Sequence, residues 1–382
     1  MKYSHILLAV ILAAVIVPVA LADSIEPPTL SGRVYAYYRY DLTNMEVPSD
    51  EGANEFDLGR VYVHINGGLT DKLYYQVTTD IAREQYTYFT YELYLDPGTG
   101  EYSLIPTEHT EIGKFDIFLK YGFFELRDVI PFHTFSAGLV DMPWISYEEG
   151  IWGWRVIRPV AIDDRGFEFS ADLGVGFVGA FGGGVFQDHL TFTNGAGPRS
   201  PEAGASGKAV TYRASVFPLA SDETFGGLSV NLFGRAWGEK VPAGAPSTTD
   251  LEAGGLLGFQ QKFVDFGGGY FMRTQGEDNA AAGTSKVESN VMTTYATGNF
   301  AVTEGMTVHP LVRYDAYEPN TDNSDDERTL IIGGVGLKFF DGALAVIPNY
   351  QTESYTEIDP LSGATEDKSI DYVYLHCQFD WE

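Results

Sequence analysis

Cysteine is nearly missing from these 382 residues: the chain holds one, Cys377. That excludes an internal disulfide, a cysteine-built zinc site and a c-type haem attachment motif. Basic residues are also scarce. Lysine and arginine number 24 against 53 acids, for a net charge of −29. Such a chain repels nucleic acid phosphates, so nucleic acid is not an expected partner. No nucleotide-binding loop and no metal motif is present, and no cofactor is expected. Long helical patterns are missing. After residue 22 no apolar run approaches the roughly 18 residues that a spanning helix needs. What is abundant is tyrosine (24), phenylalanine (25) and glycine (43). That composition favours an all-β protein.

The N-terminal stretch MKYSHILLAVILAAVIVPVALADS has a basic Lys2, an apolar run from Ile6 to Val19, and the small-x-small triplet Ala20-Leu21-Ala22. It reads as a cleaved signal peptide over 1–22. A membrane anchor is the alternative, but the run is short and no stop-transfer charges follow it. The mature chain would be 23–382, exported with a single cysteine, which suits a bacterial envelope protein. At the other end, Val373, Leu375, Cys377, Phe379 and Trp381 alternate with Tyr372, Tyr374, His376, Gln378 and Asp380. This is a period-2 strand with one apolar face.

The same alternation recurs along the chain. In LSGRVYAYYRYDLT, Val34, Ala36, Tyr38, Tyr40 and Leu42 share one face, and Arg33, Tyr35, Tyr37, Arg39 and Asp41 the other. Sixteen strands are expected near 29–43, 55–67, 71–83, 113–126, 134–142, 164–173, 175–187, 209–219, 225–238, 251–263, 265–274, 288–301, 305–318, 328–340, 342–352 and 369–381. Short turns alternate with long connections, the longest of them at 84–112. This pattern defines a 16-stranded antiparallel transmembrane β-barrel with short periplasmic turns and long extracellular loops. A counting error of one strand pair would make it 14 or 18. A bilayer requires every backbone group to be paired within the protein, which only a closed barrel achieves with strands. Sixteen strands enclose a wet lumen. The soluble alternative, a β-sandwich, would turn the apolar faces inward. The polar faces would place Arg33, Arg39, Arg60, Lys72, Lys120, Arg235 and Arg313, with Asp41, Asp80, Asp116 and Asp315, on the lumen wall.

The leader, the strand count and the terminal Phe379/Trp381 look like those of a bacterial outer-membrane porin. The runs FDLGRVYVHINGGLTDKLYYQVTTDI, KFDIFLKYGFFELRD and RYDAYEPNTDNSDDERTL resemble the phosphate-selective porin O/P-like group. The resemblance is a pattern over most of the mature chain, not a sharp motif, and Glu382 departs from the usual aromatic end. It implies a passive diffusion channel for ions and small hydrophilic solutes, a homotrimer, and residence among the lipids and lipopolysaccharide of the outer membrane.

Three of the five tryptophans fall in MPWISYEEGIWGWRVIRP, between the fifth and sixth expected strands. In porin families this loop folds into the barrel. By that resemblance, 143–163 narrows the pore, with Trp144, Tyr147, Glu148, Glu149, Trp152, Trp154, Arg155 and Arg158 forming the constriction: rings on the wall, charges toward the solute. The alternative leaves the loop outside, with its tryptophans in the interfacial belt. Net charge in the long loops sums to −20. An acidic mouth concentrates cations over about 8 Å, so weak cation preference is expected rather than anion selectivity. Sugar stacking on Trp144, Tyr147, Trp152 and Trp154 is a rival, as is anion binding by wall arginines, although ion pairing explains most of those arginines. The acidic EPNTDNSDDERT segment reads as a solvated loop with weak divalent bridging to lipopolysaccharide. An outer-membrane enzyme or an adhesive barrel is the non-channel alternative. No catalytic motif accompanies His64, His109, His133, His189, His309 or His376, and three of these fall on lumen faces.

Overall fold

The structure, a computed structural model, describes residues 27–43, 53–95, 102–198, 206–239, 249–276, 286–323, 326–358 and 365–382. The leader expected at 1–22 lies outside the described residues, as do Asp325 and most of the 241–249 stretch. The strands are β1 (Thr29–Asp41), β2 (Asn54–Gly68), β3 (Leu73–Leu95), β4 (Tyr102–Ile130), β5 (His133–Asp141), β6 (Ala171–Phe181), β7 (Phe186–Thr193) and β8 (Ser206–Val216). They continue as β9 (Leu228–Glu239), β10 (Thr249–Gln261), β11 (Val264–Gly276), β12 (Lys286–Gly298), β13 (Phe300–Thr303), β14 (Met306–Glu318), β15 (Arg328–Phe339), β16 (Leu344–Ile358) and β17 (Thr365–Trp381). Each pairs antiparallel with its chain neighbours, except that β12 and β13 do not pair with each other. β12 and β13 both pair with β14, so they are two parts of one staved strand broken at Asn299. β17 pairs with β1, Trp381 opposite Gly32, and closes the ring. The result is a closed barrel of sixteen staves. No described helix is long and apolar enough to cross a membrane.

The alternation decides which side faces out. On β9, Val230 and Leu232 are exposed at 45% and 62%, while Ser229, Asn231, Phe233 and Arg235 between them are buried. Leu257, Tyr270, Met272, Val312, Ile331 and Leu375 continue the exposed apolar surface around the ring. A water-soluble sheet would bury those groups, because each costs about 1.5–3 kcal/mol to leave in water. The inverted arrangement suits a hydrocarbon surround.

Three expectations need correcting. The second connection is not a loop over 84–112. β3 and β4 continue as a paired hairpin to Leu95 opposite Tyr102. Polar residues and Pro106 interrupt the alternation over much of this stretch, although Phe89, Tyr91, Leu93 and Leu95 do share one face. The strands expected at 164–173 and 175–187 are displaced: residues up to 170 belong to the preceding connection, Gly174 is mid-strand, and the turn falls at 182–185. Gly182, Gly183 and Gly184 all take positive φ there, which suits glycine. Lys72 is not on the wall. It lies exposed in the 69–72 turn, its N–H on Thr70 Oγ1 at 3.2 Å.

Candidate functional site

The connection between β5 and β6 holds two helices, α1 (Ile145–Trp152) and α2 (Ala161–Asp164). α1 stops at Gly153, whose left-handed φ of 73° lets its N–H return to the Glu149 carbonyl. The tryptophans of this segment meet inward-facing side chains of the barrel. Trp144 packs on Phe233 and Phe271 with ring centroids 5.4 and 5.2 Å apart. Trp152 meets Tyr295 at 5.2 Å and Trp154 meets His309 at 5.4 Å. Polar groups reinforce the seat. Tyr147 Oη donates to Asn231 Oδ1 at 2.6 Å, and Trp154 Nε1 donates to Thr297 Oγ1 at 3.2 Å. The wall donates in return to backbone carbonyls. Arg213 Nε reaches Pro143 O at 2.8 Å, Gln260 Nε2 reaches Gly150 O at 2.9 Å, and Arg313 Nη1 reaches Pro159 O at 2.6 Å. The segment thus covers the inner face from β8 to β14.

Its charges are largely paired. Arg155 meets both Glu149 and Asp163, the latter at 2.9 Å. Arg158 bridges Asp164 and Glu353 on β16 at 2.9 and 3.0 Å, and Arg165 joins Glu353 at 2.7 Å. Glu148 does not point toward open lumen. It is fully buried, and Trp144 Nε1 donates to its Oε2 at 2.6 Å. Trp144, Trp152 and Trp154 are likewise at most 2% exposed. They present no free ring face on which a sugar could stack.

The wall residues divide in two. Arg313 and Asp315 form a bidentate pair, and Arg235 lies near Glu252 with its Nη1 on Phe167 O at 3.1 Å. These face inward but are sealed beneath the segment, which sequence alternation could not show. Across the lumen, Arg33 pairs with Asp380 at 2.7 and 2.8 Å, Arg39 with Glu55 at 2.8 Å, and Arg60 with Asp80 at 2.5 Å. Asp41 closes the outer end of β1 by accepting the Thr43 N–H at 2.7 Å, and Asp116 is exposed, holding the Ile117 N–H at 2.8 Å. Lys120 differs. Opposite it the β3–β4 register shifts, and its Nζ sits over the Tyr62 ring at 4.7 Å with no carboxylate partner among the described residues. His64, His309 and His376 hydrogen-bond Thr78, Asn299 and Asn349 on the wall.

A cavity of about 740 Å³ remains beside the segment. Glu149, Gly150, Gly153 and Arg155 bound it on one side, and Arg33, Tyr35, Lys338, Gln378 and Asp380 on the other. Tyr35 and Gln378 line this cavity and Glu353 anchors its segment, although none of the three was among the expected site residues; Lys338, expected on the lumen face, lines it as well. For Tyr35 and Gln378 the alternation with outward apolar neighbours was the available signal; Glu353, between Thr352 and Ser354, had none. Gly336 shows how closely the seat is fitted: a Cβ there would come within 2.2 Å of the Trp154 ring. Gly336→Ala should therefore lower stability by about 1–3 kcal/mol, as overpacking does. Thermal unfolding in detergent measures this, and a red-shifted tryptophan emission should accompany it.

The architecture is that of a porin-type barrel, sixteen antiparallel strands with the connection after the fifth packed on the inner wall. Among solved structures it is similar to the anion-selective porin from Comamonas acidovorans, at 13% identity and TM-score 0.59, covering 93% of this chain and 99% of that one. It is also similar to OmpT of Vibrio cholerae (13% identity, TM-score 0.57, 94% and 99% covered) and to the outer-membrane channel DcaP of Acinetobacter baumannii (10%, 0.56, 94% and 99%). No protein-family model matches the chain, and no curated protein does. At these identities the likeness establishes the shared fold; the phosphate-selective group is not among these neighbours.

Proposed function

We propose that this chain is an outer-membrane porin, a water-filled channel for passive diffusion of ions and small hydrophilic solutes, narrowed by residues 143–163. The observation that carries this is the seating of that segment on the inner face of an inside-out barrel, beside a charged cavity of about 740 Å³. Width and charge at such a narrowing govern what passes. The fold shared with porins supports residence in the outer membrane with lipopolysaccharide, and a homotrimer. One neighbour is described as the trimer form of OmpT. Because Arg33, Arg39 and Arg60 are neutralised in pairs, the wall exerts little net field, and the acidic outer loops set a weak cation preference.

The test is deletion of 145–157 followed by planar-bilayer recording. Single-channel conductance should rise by about twofold or more if this segment dominates the resistance; an unchanged value refutes the constriction. A second reading, a channel for phosphate-type anions, is favoured by one observation: Lys120, with no carboxylate in an ion pair with it among the described residues, lies near Arg60 and Arg155, with Asp80 the nearby acid. A reversal potential in a KCl gradient separates the two. Strong anion preference, lost in Lys120→Gln, would establish the second reading against the first.

A further inference from the structure

Glu149, Asp163 and Asp164 in the inserted segment each meet an arginine, but Glu148 does not. It is 0% exposed, takes one hydrogen bond from Trp144 and leaves Oε1 without a partner among the described residues. The groups around it offer no free cation. On β14, Arg313 spends Nε and Nη2 on Asp315 and Nη1 on the Pro159 carbonyl. On β12, the Tyr295 hydroxyl is buried and has no hydrogen-bond partner among the described residues. On α1, the Tyr147 hydroxyl is committed to Asn231, and Ser146 to Asp141 on β5. β9 and β11 contribute Phe233 and Phe271 around Trp144. A carboxylate enclosed in this way lacks the counter-charge that would make its ionised form tolerable.

We propose that Glu148 is a proton-controlled latch for the inserted segment: protonated, it lets α1 seat on the wall from β9 to β14, and ionised, it drives α1 away from that wall. Burial lifts its carboxyl to about 7, with the Asp315 charge adding to the rise, against the lowering by the Trp144 hydrogen bond and by the Arg313 charge, which is shared with Asp315. A free glutamate titrates near 4.3. The seated form therefore binds more protons between those values. Seating is strongest below about 4.3, weakens as pH rises toward 7, and is level above. The seating equilibrium should change by roughly several hundredfold across that window, each pH unit counting tenfold.

Three of the five tryptophans ride on the segment, so acrylamide quenching of the full-length protein in lipid vesicles reports its seating. Wild type should become more quenchable as pH rises from 4.5 to 7, whereas Glu148→Gln should stay flat and protected. Glu148→Met, apolar and of similar volume, carries the same expectation if the glutamine variant folds poorly. A flat wild-type profile overturns the latch, as does a variant that keeps the wild-type slope. The consequence for conductance rests on the constriction reading, and the two are separable. If quenching follows pH as stated while conductance does not, the latch stands and the constriction falls.

Discussion

Arg313→Ala is expected to lower stability by about 3–5 kcal/mol, the range for removing one partner of a buried ion pair. Both members are sealed, at 1% and 0% exposure. Without the guanidinium, Asp315 keeps one hydrogen bond, from Thr293 Oγ1 at 2.7 Å, and an uncompensated charge away from water. The Pro159 carbonyl also loses its donor. The pair itself need not be strongly stabilising, because desolvating two ions offsets much of their attraction. Removing both should therefore cost less than removing the arginine alone. Urea unfolding of Arg313→Ala, Asp315→Ala and the double variant measures this. A double variant as unstable as the sum of the singles would show that the two side chains act independently.

Trp144→Ala is expected to have a loss of similar size, about 3–5 kcal/mol for a buried aromatic cut to a methyl group. The side chain joins two functions: its ring fills the space between Phe233 and Phe271, and its Nε1 is the one donor to the Glu148 carboxyl among the described residues. Trp144→Phe separates them, since it keeps most of the ring and loses the donor. It should cost about 1–3 kcal/mol, the penalty for an unsatisfied buried polar group. The segment can also escape the penalty by leaving the wall. The alanine variant should thus show its loss partly as flickering current and raised conductance, and only partly as a lower unfolding midpoint. A quiet channel with an unshifted midpoint would contradict the packing described above.

Most of the barrel was legible in the sequence because strand alternation is local. Arg33, Tyr35, Tyr37 and Arg39 lie on one face whatever surrounds them, since successive side chains point to opposite sides. The 143–163 segment stood out for the same reason: Trp144, Trp152 and Trp154 beside Glu148 and Arg155 break any strand pattern. The errors came where local signals compete. Gly174 looks like a turn residue, yet it sits mid-strand where a Cβ would come within 2.1 Å of the Phe192 carbonyl. The triple glycine at 182–184 makes the actual turn. In the β3–β4 hairpin the apolar alternation of Phe89, Tyr91, Leu93 and Leu95 competes with charged residues, Pro106 and the Pro97-Gly98 turn signal, which together read as a loop.

Sidedness, strand number and the aromatic, charged composition of one connection were determined by the sequence, because each depends on neighbours in the chain. Which charges meet was decided by the tertiary structure alone. Arg33 and Asp380 are 347 positions apart, and Arg158 and Glu353 are 195. Only closure of the ring and insertion of the segment bring such partners together. The same insertion removed Glu148 from water and left Glu149 beside Arg155. Two adjacent glutamates, equivalent in sequence, were given different environments by the face of one short helix that happens to meet the wall.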